Sequence, residues 1–175
     1  KHLMKNKIEI LIPTLNEEGN IEKVINELKS EGYHNITILD ANSKDQTVKI
    51  AQKNGCRIIL DDKSVSGFGG SVINGLNNLE HEYFCIFDGD NSFNPNAISK
   101  MLHEISNGAD FVFWSRYMHN TKIDDDNLVK KFGNFFFTKL VRILFKINTT
   151  DVLFLYVVGK KKNINKLSKK IFRKY

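Results

Sequence analysis

The chain has 175 residues, 41% hydrophobic and 26% charged, with 11 Gly, 2 Pro and 2 Cys, which excludes a disordered chain and a disulfide scaffold and fits one domain. Its formal net charge of +6 is unevenly spread. Residues 1–126 hold 13 Lys/Arg against 19 Asp/Glu, a net of −6, whereas residues 127–175 hold 13 against one acid, a net of +12; a uniformly basic nucleic-acid binder is therefore not expected.

Taken in chain order, Ile8–Ile12 is a predicted strand closed by Pro13. A helix is expected over Glu18–Leu28, with Ile21, Val24, Ile25 and Leu28 on one face. Ile36–Leu39 reads as a second, buried strand ending at Asp40. Lys44–Asn54 follows as a helix with Val48 and Ala51 inward, Ser43 as N-cap and Gly55 as its C′ stop. Arg57–Leu60 is a third strand, and Gly67–Gly70 opens a helix towards Leu79. Tyr83–Phe87 is a fourth strand ending in Asp88-Gly89-Asp90. Pro95 starts a helix to about Ser106, and Phe111–Ser115 is a fifth strand.

Strands and helices alternate, and the strands are continuously rather than alternately apolar. That pattern predicts an α/β fold, a mostly parallel sheet covered on both faces. Ligands bind such sheets at the carboxyl ends of the strands, so the polar residues there are the candidates. Cys56 and Cys85 lie in apolar stretches and read as buried thiols of a reducing compartment. No apolar run reaches the ~20 residues of a membrane span, and no leader is expected.

Asp88 and Asp90, one residue apart after a buried strand, suit a shared divalent cation, since Mg²⁺ is held by one or two carboxylates plus substrate phosphates. The same Asp-Gly-Asp also reads as a polar turn. Asn16 caps the following helix in this reading, with Glu17 and Glu18 favourable in its first turn. Asp40 is placed to accept hydrogen bonds from a ribose or base, or to form an Asx turn. Gly67-Phe68-Gly69-Gly70 is not a dinucleotide fingerprint, because the third glycine of that motif would fall on Val72.

In their order and spacing, Pro13-Thr14-Leu15-Asn16-Glu17-Glu18, Ile38-Leu39-Asp40-Ala41-Asn42-Ser43 and Phe87-Asp88-Gly89-Asp90 resemble the inverting family-2 glycosyltransferases. Among these the chain resembles dolichyl-phosphate mannosyltransferase and related polyprenyl-phosphate glycosyltransferases. The resemblance implies a GT-A fold, a three-layer sandwich around a mostly parallel sheet, over residues 4–158 with a basic tail at 159–175. It implies that Pro13, Thr14, Asn16, Glu17, Asp40, Ser43, Gly67, Gly69 and Asp88 line a GDP- or UDP-linked sugar. It further implies that Asp88 and Asp90 hold Mg²⁺ or Mn²⁺ on the donor diphosphate, with Asp90 and Arg116 catalytic. A guanidinium at 116, in Ser115-Arg116-Tyr117, neutralises a leaving diphosphate better than an ammonium does.

Two stretches depart from the family pattern. Asp40-Ala41-Asn42-Ser43 stands where Asp-Asp-Gly-Ser is common, and Phe154-Leu155-Tyr156-Val157 stands where Ser/Thr-Gly-Phe-Arg is usual. The second keeps a catalytically silent nucleotide-sugar module as an alternative.

Residues 128–147 carry Lys139, Arg142 and Lys146 on one helical edge among Phe132, Phe136, Leu140, Ile143, Leu144 and Ile147. They read as an amphipathic helix for an anionic membrane surface, or as a core helix with a solvated basic edge. A hydroxyl acceptor needs a positioned base, and the family's Glu-Asp dipeptide is absent. A polyprenyl phosphate is already largely ionised, with a second pKa of ~6. The expectation is transfer of a hexose to a polyprenyl or dolichyl phosphate by a peripheral protein at the cytosolic membrane face. A saccharide or protein hydroxyl is the alternative acceptor.

Overall fold

The structure is a computed structural model describing residues 2–62, 64, 67–115 and 155–164. The chain divides into two compact units, residues 1–112 with 157–175, and residues 113–156. In the second, the Trp114 N–H donates to the Tyr156 carbonyl at 2.9 Å, with ring centroids 6.4 Å apart.

After a short α1 (His2–Lys5), the first unit alternates strands and helices. The order is β1 (Ile8–Thr14), α2 (Ile21–Ser30), β2 (Ile36–Asp40), α3 (Thr47–Lys53), β3 (Arg57–Leu60), α4 (Gly67–Asn77), β4 (Tyr83–Ile86), α5 (Asn96–Ser106), β5 (Phe111–Phe113) and β6 (Val157–Lys160). The six strands form one sheet in the order β3-β2-β1-β4-β6-β5. β1 pairs in parallel with both β2 and β4, β2 with β3, and β6 runs antiparallel to β4. The α/β, mostly parallel sheet is as the apolar runs predict.

Every residue of β1 and β2 is buried. Leu11, Leu39, Phe84, Ile86 and Val157 pack with Val72 and Leu79 into one cluster, each full burial stabilising by ~1.5–3 kcal/mol. α4 sits close to β2. A Cβ at Gly75 would lie 2.5 Å from Leu39 Cδ1, so only glycine allows this approach. α2 buries Ile21, Val24, Ile25 and Leu28, the face its periodicity predicts.

Several boundaries move, for physical reasons. Pro13 does not close β1, which continues to Thr14 with Pro13 opposite Leu39. The missing N–H of Pro13 faces the β4 side, where the ladder ends at Leu11↔Ile86, and β4 is then free to turn at Asp88. α2 starts at Ile21 and α3 at Thr47, later than expected, because the residues before them bond across loops instead. Gly55, at φ 72°, ends α3 as read. α4 opens at Gly67 as read, with Gly67–Gly70 as its first turn, and ends at Asn77; glycines in a helix cost up to ~1 kcal/mol each relative to Ala. β5 ends at Phe113.

β6 has no counterpart among the predicted elements. It extends the sheet through residues 158 and 159, where domain and tail are expected to meet. The amphipathic stretch 128–147 and residues 165–175 lie outside the described residues. Among the described residues, no helix is long and apolar enough to cross a membrane.

Candidate donor site at the carboxyl edge

The strand order runs outward from β1 through β2 to β3, then returns to place β4 on the other side of β1. This is a topological switch point, and parallel sheets open a crevice there at their carboxyl edge. The loop after β1 carries Leu15, Asn16 and Glu17, and the turn after β4 carries Asp88, Gly89 and Asp90. Sequence-predicted candidates therefore converge on the crevice that topology alone would select.

The loops after β1 and β2 are laced together. Thr14 Oγ1 donates to Asp40 Oδ1 at 3.3 Å, and the Ser43 N–H donates to Asp40 Oδ2 at 2.9 Å. The Ser43 hydroxyl also donates to Asp40, and accepts the Asn16 N–H at 2.9 Å. Asn16 Oδ1 in turn accepts the Lys44 N–H at 2.8 Å, and Thr47 Oγ1 accepts the Glu17 N–H at 2.8 Å. Asp40 is 1% exposed, a buried carboxylate with its acceptors engaged.

Two capping expectations are corrected here. Asn16 does not cap α2; the residue at that cap is Asn20, which makes no side-chain capping bond. Ser43 does not cap α3, whose N-cap is Gln46. Both side chains serve the loop-to-loop lacing instead. Their short polar groups reach a neighbouring loop that local sequence cannot reveal.

Three non-glycine residues have positive φ among the described residues: Asn16 (59°), Asn42 (64°) and Asn91 (67°). They follow β1, β2 and β4 at one edge of the sheet. Asn tolerates the left-handed region better than most residues, and such conformations cluster at ligand sites.

Gly89 is buried against the end of β1, where a Cβ would lie 3.2 Å from Thr14 Cγ2. This contact ties the Asp88-Gly89-Asp90 turn to the β1 loop. Asp88 Oδ1 accepts only a long bond, 3.4 Å, from the Asp90 N–H, while Asp90 Oδ1 accepts the Ser92 N–H at 2.8 Å. Burial raises the Asp88 pKa first, and the negative charges of Asp90 and Glu17 push it further, against weaker lowering by the Asp90 and Gly89 N–H groups. Among the described residues, no Lys or Arg forms an ion pair with Asp88 or Asp90.

That repulsion is what a divalent cation relieves, so the pair fits one. No third His, Cys, Asp or Glu converges on it among the described residues. A cation held here would need further oxygens from phosphate or water.

Residues 9–167 match the family described as Glycosyl transferase family 2. The chain belongs to glycosyl transferase family 2. It is 31% identical to dolichol-phosphate mannosyltransferase of Pyrococcus furiosus over 68% of this chain and 36% of that protein. It is 31% identical to UDP-N-acetylglucosamine–dolichyl-phosphate N-acetylglucosaminyltransferase of Methanococcus voltae, over 73% and 59%. Among solved structures, glucosyl-3-phosphoglycerate synthase of Mycobacterium tuberculosis, in complex with Mn²⁺, UDP and glucosyl-3-phosphoglycerate, matches with a TM-score of 0.66 at 17% identity. That match covers 89% of this chain and 57% of the synthase. The fold is GT-A. The chain spans between 36% and 59% of the length of these two curated relatives.

The remaining predicted residues divide. Pro13, Thr14, Asn16, Glu17, Asp40, Ser43, Asp88 and Asp90 all lie at the carboxyl edge. Gly67 and Gly69 lie in the first turn of α4; Gly67 has φ 65°, whereas open space surrounds the place of a Cβ at Gly69. Arg116 lies outside the described residues. Val157 begins β6 opposite Ile86 and is 3% exposed, so the position where the resemblance implies arginine is a sheet-core position here.

Sequence reasoning missed Asp61. It follows β3, is 7% exposed, and joins the β2 loop to α4. The signal was available: Leu60-Asp61 repeats the strand-then-aspartate pattern of Leu39-Asp40 and Phe87-Asp88.

Proposed function

We propose that this chain is the donor-binding, catalytic part of a metal-dependent inverting glycosyltransferase. It would move a hexose from a GDP- or UDP-linked sugar to a polyprenyl or dolichyl phosphate. The observation that carries the reading is the Asp88–Asp90 pair. Among the described residues it pairs with no Lys or Arg at the switch point, and it lies beside β1 and β2 loops that are hydrogen-bonded to each other. The names of the two dolichyl-phosphate relatives support the acceptor class, and the Mn²⁺–UDP complex of the structural neighbour supports the cation and nucleotide.

In this reading Asn16, Glu17 and Ser43 border the nucleoside together with Gly67 and Gly69, while the buried Thr14 and Asp40 hold those loops in place. Asp88 and Asp90 would hold Mg²⁺ or Mn²⁺, which stabilises the charge developing on the departing diphosphate. Arg116 adds a second positive charge there. The acceptor phosphate oxygen attacks the anomeric carbon from the face opposite the diphosphate, so the sugar–oxygen bond to the nucleotide breaks as the new one forms. A phosphate nucleophile needs no proton removed, because it is already largely ionised. The basic stretch 128–147 and the tail would rest peripherally on an anionic membrane.

A second reading has a specific observation behind it. Val157, buried where an arginine is implied, favours a nucleotide-sugar binder without transfer. One assay separates the two. Full-length chain with Mn²⁺ and labelled GDP-mannose or UDP-sugars is expected to yield labelled short-chain polyprenyl phosphate. Mn²⁺-dependent nucleotide binding with no transfer to lipid phosphate or to a sugar hydroxyl would establish the silent module. Flotation with anionic vesicles tests the membrane arm, and absence of binding would remove it.

A further inference from the structure

We propose that Asp61 is a positioning residue for the donor site, holding the first turn of α4 in register with the Asp40 loop; this rests on the donor-site reading above. Asp61 is the first residue after the edge strand β3, and four of its polar groups are engaged. Its N–H donates to the Asp40 carbonyl at 2.9 Å, and its carbonyl accepts Asn42 Nδ2 at 2.9 Å. One carboxylate oxygen accepts the Ser71 hydroxyl, and the other accepts Asn74 Nδ2 at 3.2 Å. The backbone bonds reach the β2 loop, including Asn42 with its positive φ. The side-chain bonds reach α4.

A buried carboxylate is an expensive anchor, and α4 does not need one to stay on the sheet. Gly75 against Leu39, with Val72 in the main cluster, already presses its middle onto β2. Its first turn is different. Gly67, Gly69 and Gly70 supply no side chain to pack, and Phe68 is 52% exposed. Ser71 and Asn74, three residues apart, stand on one face of the helix. Ser71 also reaches back to the Gly67 carbonyl at 3.3 Å. Asp61 therefore orients the weakest turn of the helix, where two predicted donor contacts lie, against the loop that carries Asp40. A neutral amide at 61 cannot accept from both Ser71 and Asn74, because its NH₂ end is itself a donor.

The test compares Asp61→Asn, the exchange variant Asp61→Asn with Asn74→Asp, and wild type, as full chains. Titrations use UDP and GDP with Mn²⁺, and backbone hydrogen exchange is followed without ligand. In Asp61→Asn, exchange is expected to rise at least fivefold in residues 41–44 and 67–71 and to stay unchanged in β1. The dissociation constant of the nucleotide that wild type binds is expected to rise about tenfold at a temperature well below unfolding. The exchange variant, which re-pairs an amide with a carboxylate, should recover most of both. Unchanged exchange in both segments overturns the proposal. So does nucleotide affinity equal to wild type in a variant whose only change is a lower Tm. If wild type binds neither nucleotide, the donor-site reading falls and the affinity arm with it; a positioning role for the donor site is then overturned, whatever the exchange shows about local order.

Discussion

The two ends of the sheet bury the same kind of group and treat it in opposite ways. At the amino end, Glu9 in β1 has a side chain only 2% exposed. It accepts Thr37 Oγ1 at 2.7 Å, Arg57 Nη1 at 3.1 Å, the Glu80 N–H at 2.8 Å and a contact from His81 Nδ1 at 3.3 Å. Burial alone would raise its pKa, but the bonds from Thr37, Glu80 and His81 and the charge of Arg57 outweigh that and bring it below the ordinary value. At the carboxyl end, Asp88 is buried with a like charge beside it and accepts a long bond from the Asp90 N–H, and its pKa is raised. A carboxylate whose partners are already in place is a structural joint. One that pairs with no Lys or Arg among the described residues is the kind of site a cation would fit.

This contrast can be broken from either side. The largest effect is expected from Asp90→Asn, which should lower sugar transfer by roughly 100-fold or more, since charge stabilisation by a cation is worth several kcal/mol. Glycosyl transfer with saturating Mn²⁺ reads it. The same variant should be no less stable than wild type, because it removes a repulsion.

Next is Glu9→Gln, which presents an amide donor to groups that are themselves donors. It should cost about 3 kcal/mol of folding stability in urea unfolding, while nucleotide affinity stays within about twofold. A loss of affinity as large as the loss of stability would erase the distinction between the two ends.

A smaller effect sharpens the contrast through pH. Glu9 has a lowered pKa in the fold, so its contribution is present above the unfolded carboxylate value of ~4.3 and is lost as pH falls through the folded value. Asp88 has a raised pKa, so protons compete with a cation there at higher pH than at an ordinary aspartate. On acidification from pH 7, Mn²⁺ affinity should therefore decline before the fold does. Paramagnetic titration of Mn²⁺ and circular dichroism on the same samples check this, and coincident transitions would contradict it. The smallest expected effect is a gain in stability of Asp90→Asn, below ~1 kcal/mol because Asp90 is exposed.

How much of this was legible in the sequence follows from what each feature depends on. β1, β2 and β4 showed as apolar runs, because strands covered on both faces are filled mainly by apolar side chains, and β3 and β5 showed as the same kind of run although they are only partly buried. Asp40 and Asp88 showed because each acid directly ends such a run, and Asp90 because it stands one residue beyond Asp88. β6 did not show: Val157 to Lys160 is four residues long and gains its place by pairing between β4 and β5, far away in sequence. The roles of Asn16 and Ser43 were misread as caps because their partners lie across a loop junction. Glu9 is a charge inside Ile8-Glu9-Ile10, a conflict with strand burial that marks a pre-paired carboxylate, and it went unread. Asp61 went unread as well, although it follows a strand as Asp40 does.

If the carboxyl edge is a cation-dependent nucleotide-sugar site, nucleotide affinity must depend on the cation. Calorimetric titration of UDP and GDP into the full-length chain, with Mn²⁺ and with a chelator, tests it most directly. One of the two nucleotides is expected to bind in Mn²⁺, to lose at least tenfold in affinity with chelator, and to be bound no more tightly by Asp90→Asn with Mn²⁺ than by wild type without it. Equal affinity with and without the cation, or no binding of either nucleotide in Mn²⁺, would contradict it.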